Sequence, residues 1–451
     1  MFKSFRDNVV VGLILYAICL TPVIQQNRAI NAARDALVTW DMNRLAGTHV
    51  GSRVAWIDVD EGAQASWGVP YQTARDKLLK LVKWAQYGQP AAILIDIDLT
   101  KSMRGYPGDD ALTSFLAECQ SRRRQCAPML LVRTLGRSAY VDDTREHFGV
   151  QAEASFLDRA LHTSPREPWT AGSVRWGTSG MDRDSDGIVR RWRVWETSCS
   201  GPGESVVIPS VILLAAAIAT HTAPQAVHNA VEPHELWCFP AGTQSPQKTP
   251  AIDTTLELGG YRLPLTQDDL QRRVFYRMTW SQDEQRALGL EVYLPADTIA
   301  RLPGLDRNET PGPQVIAAAK NALQGRIVVI GASNEAAGDL WVTPVGLMPG
   351  ALVIINAIDS VLEQRTLREP PAIIKVPLEI LVILIVSALF AALSGPWGLR
   401  VSLAAMLLAT VSIGLFVFNY GIWIDSVVPV LGIILHEAIE TARHRKKRAA
   451  V

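Results

Sequence analysis

Arg53–Val59 (RVAWIDV), Tyr71–Tyr87 (YQTARDKLLKLVKWAQY) and Ala91–Ile97 (AAILIDI) decide the fold of the centre of this chain. The outer two are short apolar runs rich in β-branched residues. The middle one carries Leu78, Leu79, Leu81, Val82 and Trp84 at helical spacing. Strand, crossover helix and strand in this order predict a parallel α/β unit. A helix over Ala111–Cys119 and a strand over Met129–Val132 extend it. Further on, Gly172–Thr178 and Gly187–Val194 read as strands joined across Asp182–Gly187, and Pro209–His221 as an apolar core helix. Leu256–Leu263 reads as a hairpin through Gly259-Gly260, and Arg273–Met278 as a strand. The α/β pattern then returns with a helix over Gln314–Leu323, a strand over Arg326–Ile330, a loop over Gly331–Pro349 and a helix over Gly350–Leu362.

Apolar runs flank this centre. Val9–Ile24 follows Lys3 and Arg6, while Val376–Leu393, Val401–Phe418 and Ile422–Leu435 precede Arg443, Arg445, Lys446, Lys447 and Arg448. A bilayer core of about 30 Å takes roughly 20 helical residues to cross, and basic residues stay on the cytoplasmic side. The expectation is an α/β exported domain, residues 25–374, inserted between one N-terminal and three C-terminal transmembrane helices at 9–24, 376–393, 401–418 and 421–438. Residues 1–8 and the basic tail 439–451 would be cytoplasmic, the main domain periplasmic, and the protein multi-pass in a bacterial inner membrane with the lipid bilayer as a partner. Gln25–Leu45 would continue the first span as one helix. Gln25–Ala29 offers no small-x-small cleavage site, so the first run is expected to stay as an anchor.

The formal net charge is zero, which gives no electrostatic case for nucleic acid. The basic tail reads as a topology signal that also attracts anionic headgroups. Cys19 falls in the first apolar run, whereas Cys119, Cys126, Cys199 and Cys238 fall where an oxidising compartment would meet them. Four cysteines allow three pairings; Cys119 with Cys126 and Cys199 with Cys238 is the expected one. No C-x-x-C occurs to favour zinc. Neither a dinucleotide fingerprint nor a P-loop is present, so no cofactor is expected.

Several residues could carry chemistry. Asp58 and Asp60, and Asp96 and Asp98, end two strands expected to be neighbours, so their carboxylates would converge. They either pair with Arg75 and cap loop amides, or line a pocket for a cation or polar ligand. Gly331-Ala332-Ser333 opens a loop at the carboxyl end of a strand, where open α/β sheets bind ligands. It departs from a nucleophile elbow at Glu335. Asp182, Asp184 and Asp186 match the start of a calcium loop, but Arg193 stands at its twelfth position, and a polar β-turn through Gly187 is the alternative. His221, His228 and His234 are loosely spaced. His436-Glu437 lacks the second histidine of a zinc protease, since Glu440 stands there. Glu379 and Asp425 are acids within expected spans. Nothing here points to catalysis.

The order of signatures resembles the CHASE2 family of extracytoplasmic sensory domains over roughly Asp35 to Arg368. The matching pieces are Val54-Ala55-Trp56-Ile57-Asp58, Trp67-Gly68, Arg75, Ile95-Asp96, Asp186-Gly187 with Arg190-Arg191, Gly325–Ala332, Asp339, Thr343-Pro344 and Pro349-Gly350. The resemblance implies a sensor in signal transduction that detects a small ligand or ion; the strand-end acids and the loop after the later strand then suggest a pocket joining Asp58 and Asp96 to Ser333 and Asp339. Two departures stand out. Asn356-Ala357 occupies a place where the family commonly has His-Ala, and no cyclase, kinase or diguanylate-type pattern follows the last run. Output is therefore expected from a separate cytoplasmic or membrane signalling partner, with a homo-oligomer open. The competing expectation is a scaffold or assembly subunit that senses nothing.

Overall fold

The computed structural model describes residues 2–392 apart from 20, 26, 47–50, 70–71, 104–107, 138–139, 142–149, 165–171, 185, 202–203, 235–237, 241–254, 266–271, 307–308, 364–366 and 368, together with scattered positions between 401 and 435. The chain divides into two compact units, Met1–Leu45 with Arg365–Val451, and Ala46–Gln364.

Six strands organise the second unit: β1 Gly51–Val59, β2 Ala92–Asp96, β3 Met129–Val132, β4 Val174–Gly177, β5 Leu290–Pro295 and β6 Ile327–Ala332. They form one parallel sheet in the order β5-β1-β6-β2-β3-β4. Helices α1 Arg75–Tyr87, α2 Asp109–Gln120 and α4 Pro313–Leu323 pack their apolar sides on one face, where Leu78, Leu81, Leu116 and Leu323 join Ile57, Ile93, Ile95 and Ile330 in one core. Helices α3 Val211–Ala219 and α5 Gly350–Leu362 cover the other face. Burial on both faces explains why the strands are continuous apolar runs rather than alternating ones.

The structure corrects the expectation that β1 and β2 are neighbours. β6 lies between them, with Asp58 opposite Gly331 and Gly331 opposite Asp96. Every residue of α5 is buried, and the helix comes so close to β6 that a Cβ at Gly331 would stand 2.6 Å from that of Ala351. Residues 187–194 pair with Met181–Arg183 as a hairpin, not with 172–178. α1 begins at Arg75 rather than Tyr71. Within 331–349 the chain forms a second hairpin, Leu340–Thr343 with Gly346–Pro349.

Arg273–Met278 is extended but joins no sheet beyond a single bridge at Arg273. Side chains of α5 replace the missing neighbour. Ser360 Oγ accepts from Phe275 N at 2.9 Å, and Asn356 Oδ1 accepts from Arg277 N and Met278 N at 2.9 and 3.0 Å. Asn356 Nδ2 donates to Met278 O and Leu352 O. The fully buried Asn356 thus does the work of a strand edge, using a donor and an acceptor on one side chain.

In the first unit, helices Phe2–Cys19, Pro22–Gln25, Arg28–Leu45 and Ala372–Ala392 are described. Arg28–Leu45 is a separate helix, not a continuation of the first. Among the described residues no helix is long and apolar enough to cross a membrane. The expected transmembrane helices, and the multi-pass inner-membrane localisation and topology built on them, are therefore corrected. Lys3, Arg6, Asp7 and Asn8 take up the start of Phe2–Cys19, and Lys375, Pro377 and Glu379 that of Ala372–Ala392. The apolar lengths left are roughly 11 and 13 residues, or about 16 and 20 Å at helical rise, against about 30 Å needed. Most of 401–418 and 421–438, and all of the tail 439–451, lie outside the described residues. Glu379 and Asp425, expected within spans, are both engaged: Tyr16 donates to Glu379, and Arg34 lies 2.7 Å from Asp425.

Replacing Asn356 with Ala strands the Arg277 and Met278 amides in a dry core, and each buried amide without an acceptor costs about 1–3 kcal/mol. We expect Asn356→Ala to lower stability by about 3 kcal/mol with the urea m-value unchanged. An unmoved unfolding midpoint would show that this clamp is dispensable.

Candidate functional site

A cleft of about 340 Å³ opens at the carboxyl edge of the sheet, lined among others by Asp96, Asp98, Thr134, Asn334, Asp339 and Trp341. Crevices outside the carboxyl ends of parallel strands are where such sheets bind ligands, and the volume falls within the small-molecule range of about 300–1,000 Å³.

The acids singled out from the sequence divide into separate environments. Asp96, at the end of β2, faces the cleft, and its buried Oδ2 has no hydrogen-bond partner. Burial first, then the charge of Asp339, push its pKa well above the usual carboxylate value. Asp339 is raised in the same direction by burial, offset in part by the Trp341 hydrogen bond and the charge of Arg183. Trp341 Nε1 donates to Asp339 Oδ1 at 2.5 Å. Asp339 also reaches the start of α5: its carbonyl accepts from Gly350 N at 2.9 Å, and a Cβ at position 350 would collide with its carboxylate. The two acids therefore crowd the same protein-walled space, where each like charge makes ionisation of the other harder.

Asp98 borders the cleft too, yet its Oδ1 is taken by Thr100 N at 2.9 Å, Thr100 Oγ1 at 2.5 Å and Thr134 Oγ1 at 3.1 Å. Burial pushes its pKa up, but these bonds and the charge of Arg75 outweigh it and hold the carboxyl below its ordinary value. Arg75 is buried; its Nη2 donates to Asp98 O at 2.6 Å and its Nε lies 3.8 Å from Asp109. It fixes the turn after β2 and does not meet Asp96 in a hydrogen bond.

Asp58 and Ser333 lie across β6 from the cleft's acids. Asp58 Oδ2 accepts from Ser333 Oγ at 2.6 Å and Tyr293 Oη at 2.7 Å, while its Oδ1 is buried without a partner. Burial pushes the carboxyl up to about 7, against the lowering effect of the two hydroxyls. Asp60 caps the helix Glu61–Trp67, accepting from Ala63 N at 2.8 Å. The strand-end acids thus do not converge on one pocket.

Asp184 and Asp186 are engaged by the chain's own cations: Arg190 Nη1 donates to Asp184 at 2.8 Å and to Asp186 at 2.9 Å, and Arg191 also reaches Asp184. The Asp182 side chain lies outside the described residues, as does that of His234. Cys119–Cys126 and Cys199–Cys238 are both disulfide-bonded, with Cα atoms 5.6 Å apart in each.

Sequence reasoning missed Tyr293, Asn334 and Trp341. Asn334 Nδ2 donates to Val59 O at 2.8 Å and its Oδ1 caps Glu335–Ala337 through Ala337 N at 2.9 Å, tying β6 to β1 beside the cleft. An Asn just beyond a buried strand is a recognisable turn signal. Tyr293 had none, because β5 was not read as a strand.

A parallel α/β domain with a small-molecule-sized cleft at its strand ends defines a binding-domain class. The chain belongs to the CHASE2 domain family, whose model matches residues 10–393, and this membership supports a sensory role. No curated protein and no solved structure matches the chain.

The buried acids make stability depend on pH with a definite sign. A carboxyl near 7 when folded and near 4 when unfolded holds its proton more tightly in the folded state. Its contribution is complete below about pH 4 and is lost as pH rises to about 7. Asp96 and Asp339 act in the same direction. We expect the urea midpoint to fall between about pH 4 and 7, and Asp58→Asn to make that fall shallower. An unchanged slope in the variant would rule out Asp58 as a contributor.

Proposed function

We propose that this CHASE2 domain senses a small ligand held in the cleft between Asp96 and Asp339, and passes the bound state along α5 to a separate signalling partner. The observation that carries the reading is the unpartnered buried Asp96 Oδ2 facing a cleft whose other acid, Asp339, rests on the first residue of α5. A ligand that engages Asp339 differently in two arrangements would bias the position of that helix; equal affinity for both would shift nothing. The role is binding rather than catalysis, since Ser333 is held by Asp58 outside the cleft. Two disulfides support an oxidising, extracytoplasmic setting for the domain.

The test uses the purified full chain in a thermal-shift screen against ions and small metabolites, since binding to the native state raises apparent stability by about 2.7 kcal/mol at a hundredfold excess over Kd. A true ligand should stabilise the parent protein but neither Asp96→Asn nor Asp339→Asn, and should change hydrogen exchange in Leu340–Thr343 and the first turns of α5. If every stabilising compound acts equally on both variants, the cleft is not the site. If ligands bind there and exchange in α5 does not change, relay through the helix fails and a scaffold role is favoured.

A further inference from the structure

An own-chain cation stands over one of the residues that line the cleft. Arg183 ends the strand Met181–Arg183, and its guanidinium carbon stands 4.0 Å over the ring of Trp341. Met181 from the same strand and Trp341 both line the cleft. The Trp341 ring turns its N–H to Asp339 Oδ1, so the indole receives a cation on its face while donating to an acid at its edge. Arg183 is exposed, and an exposed cation over an indole contributes only about 0.5–1 kcal/mol. Such a contact is easily displaced.

Resting on the sensory reading of the cleft, we propose that its ligand is a small organic cation of the ammonium or guanidinium class, and that Arg183 is a built-in competitor which the ligand displaces from Trp341. Three observations converge on that chemistry. Asp96 offers a buried acceptor oxygen with no donor. Asp339 presents its carboxylate beside an aromatic face already shown to accept a cation. Gln72 adds an amide group able to bond a polar organic molecule, while Gln64 and Asn334 on the same lining are tied to Val69 and Val59. A bare metal ion fits less well: the cleft is far larger than an ion, Asp98 is occupied by Thr100 and Thr134, and no group of three metal-ligating side chains occurs among the described residues.

The experiment measures binding of methylguanidinium and 1,4-diaminobutane to the full chain by calorimetry, with succinate as the anionic control, at fixed ionic strength. Removing the competitor in Arg183→Gln should tighten both cations three- to tenfold, while Arg183→Lys, which keeps a cation for the indole, should stay near the parent affinity. Asp339→Asn should weaken both at least tenfold. Tighter succinate than amine binding, lost in Arg183→Gln, would overturn the proposal by making Arg183 a ligand-binding group for an anion, yet would leave the cleft a ligand site. Equal amine affinity in parent and Arg183→Gln would overturn the competitor role. Failure of both cations to bind would overturn the ligand class, and the screen with Asp96→Asn and Asp339→Asn would then decide separately whether the cleft binds anything.

Discussion

The second unit is organised by one close approach: α5 lies on the central strand β6 at a distance that only hydrogen at Gly331 permits. A methyl there would overlap Ala351, and a core packed at crystal-like density has no slack to absorb it. This contact sets the height of α5 above the sheet. That height places Gly350 under Asp339 and brings Asp339 into the electrostatic reach of Asp96. It also lets Asn356 and Ser360 meet the backbone of Phe275–Met278. The cleft and the core of this face share a single steric origin.

Four aspartates at two strand ends show how little residue type decides. Asp60 sees a helix amide and becomes a cap; Asp98 sees two hydroxyls and an amide and is held ionised. Asp58 is sealed between Ser333 and Tyr293, while Asp96 is left with an orphan oxygen and another acid nearby. The difference lies in the donors supplied by other parts of the chain, because hydrogen bonds to the charged form and loss of solvent act in opposite senses.

What the sequence revealed, and what it hid, follows the same division between local and distant. Met129–Val132 and Gly350–Leu362 were legible to the residue, since each is a short apolar block between turn signals. The hairpin at Gly259-Gly260 was legible from its turn chemistry. The order of strands was not, because nothing in Arg53–Val59 or Ala91–Ile97 records that Ile327–Ala332 will separate them. Arg273–Met278 carries the pattern of a strand and finds side chains instead of a neighbour. At the end of the chain, Val376–Leu393 reads as one apolar run, yet Pro377 and Glu379 stand inside it and shorten the apolar length of the helix that forms. Asp96 and Asp339 of the predicted pocket stand in the cleft; Asp58 was assigned to it through the mistaken adjacency of β1 and β2, and Ser333, read correctly as lying just past its strand, turns to Asp58 instead.

The late position of β6 in the chain also governs how the domain can be made. β1 and β2 are synthesised early, but both must wait for β6, where Val54 and Ala92 each meet Ile327, a separation that makes closure entropically slow. Until β6 arrives, two strongly apolar strands keep unpaired edges, the state in which chains associate wrongly. A chaperone that shields Val54–Val59 and Ile93–Ile95 during synthesis would act on the one interval in which this sheet cannot protect itself. Truncations that end before Gly325 would leave a permanent gap between two buried strands, making them aggregation-prone rather than merely inactive.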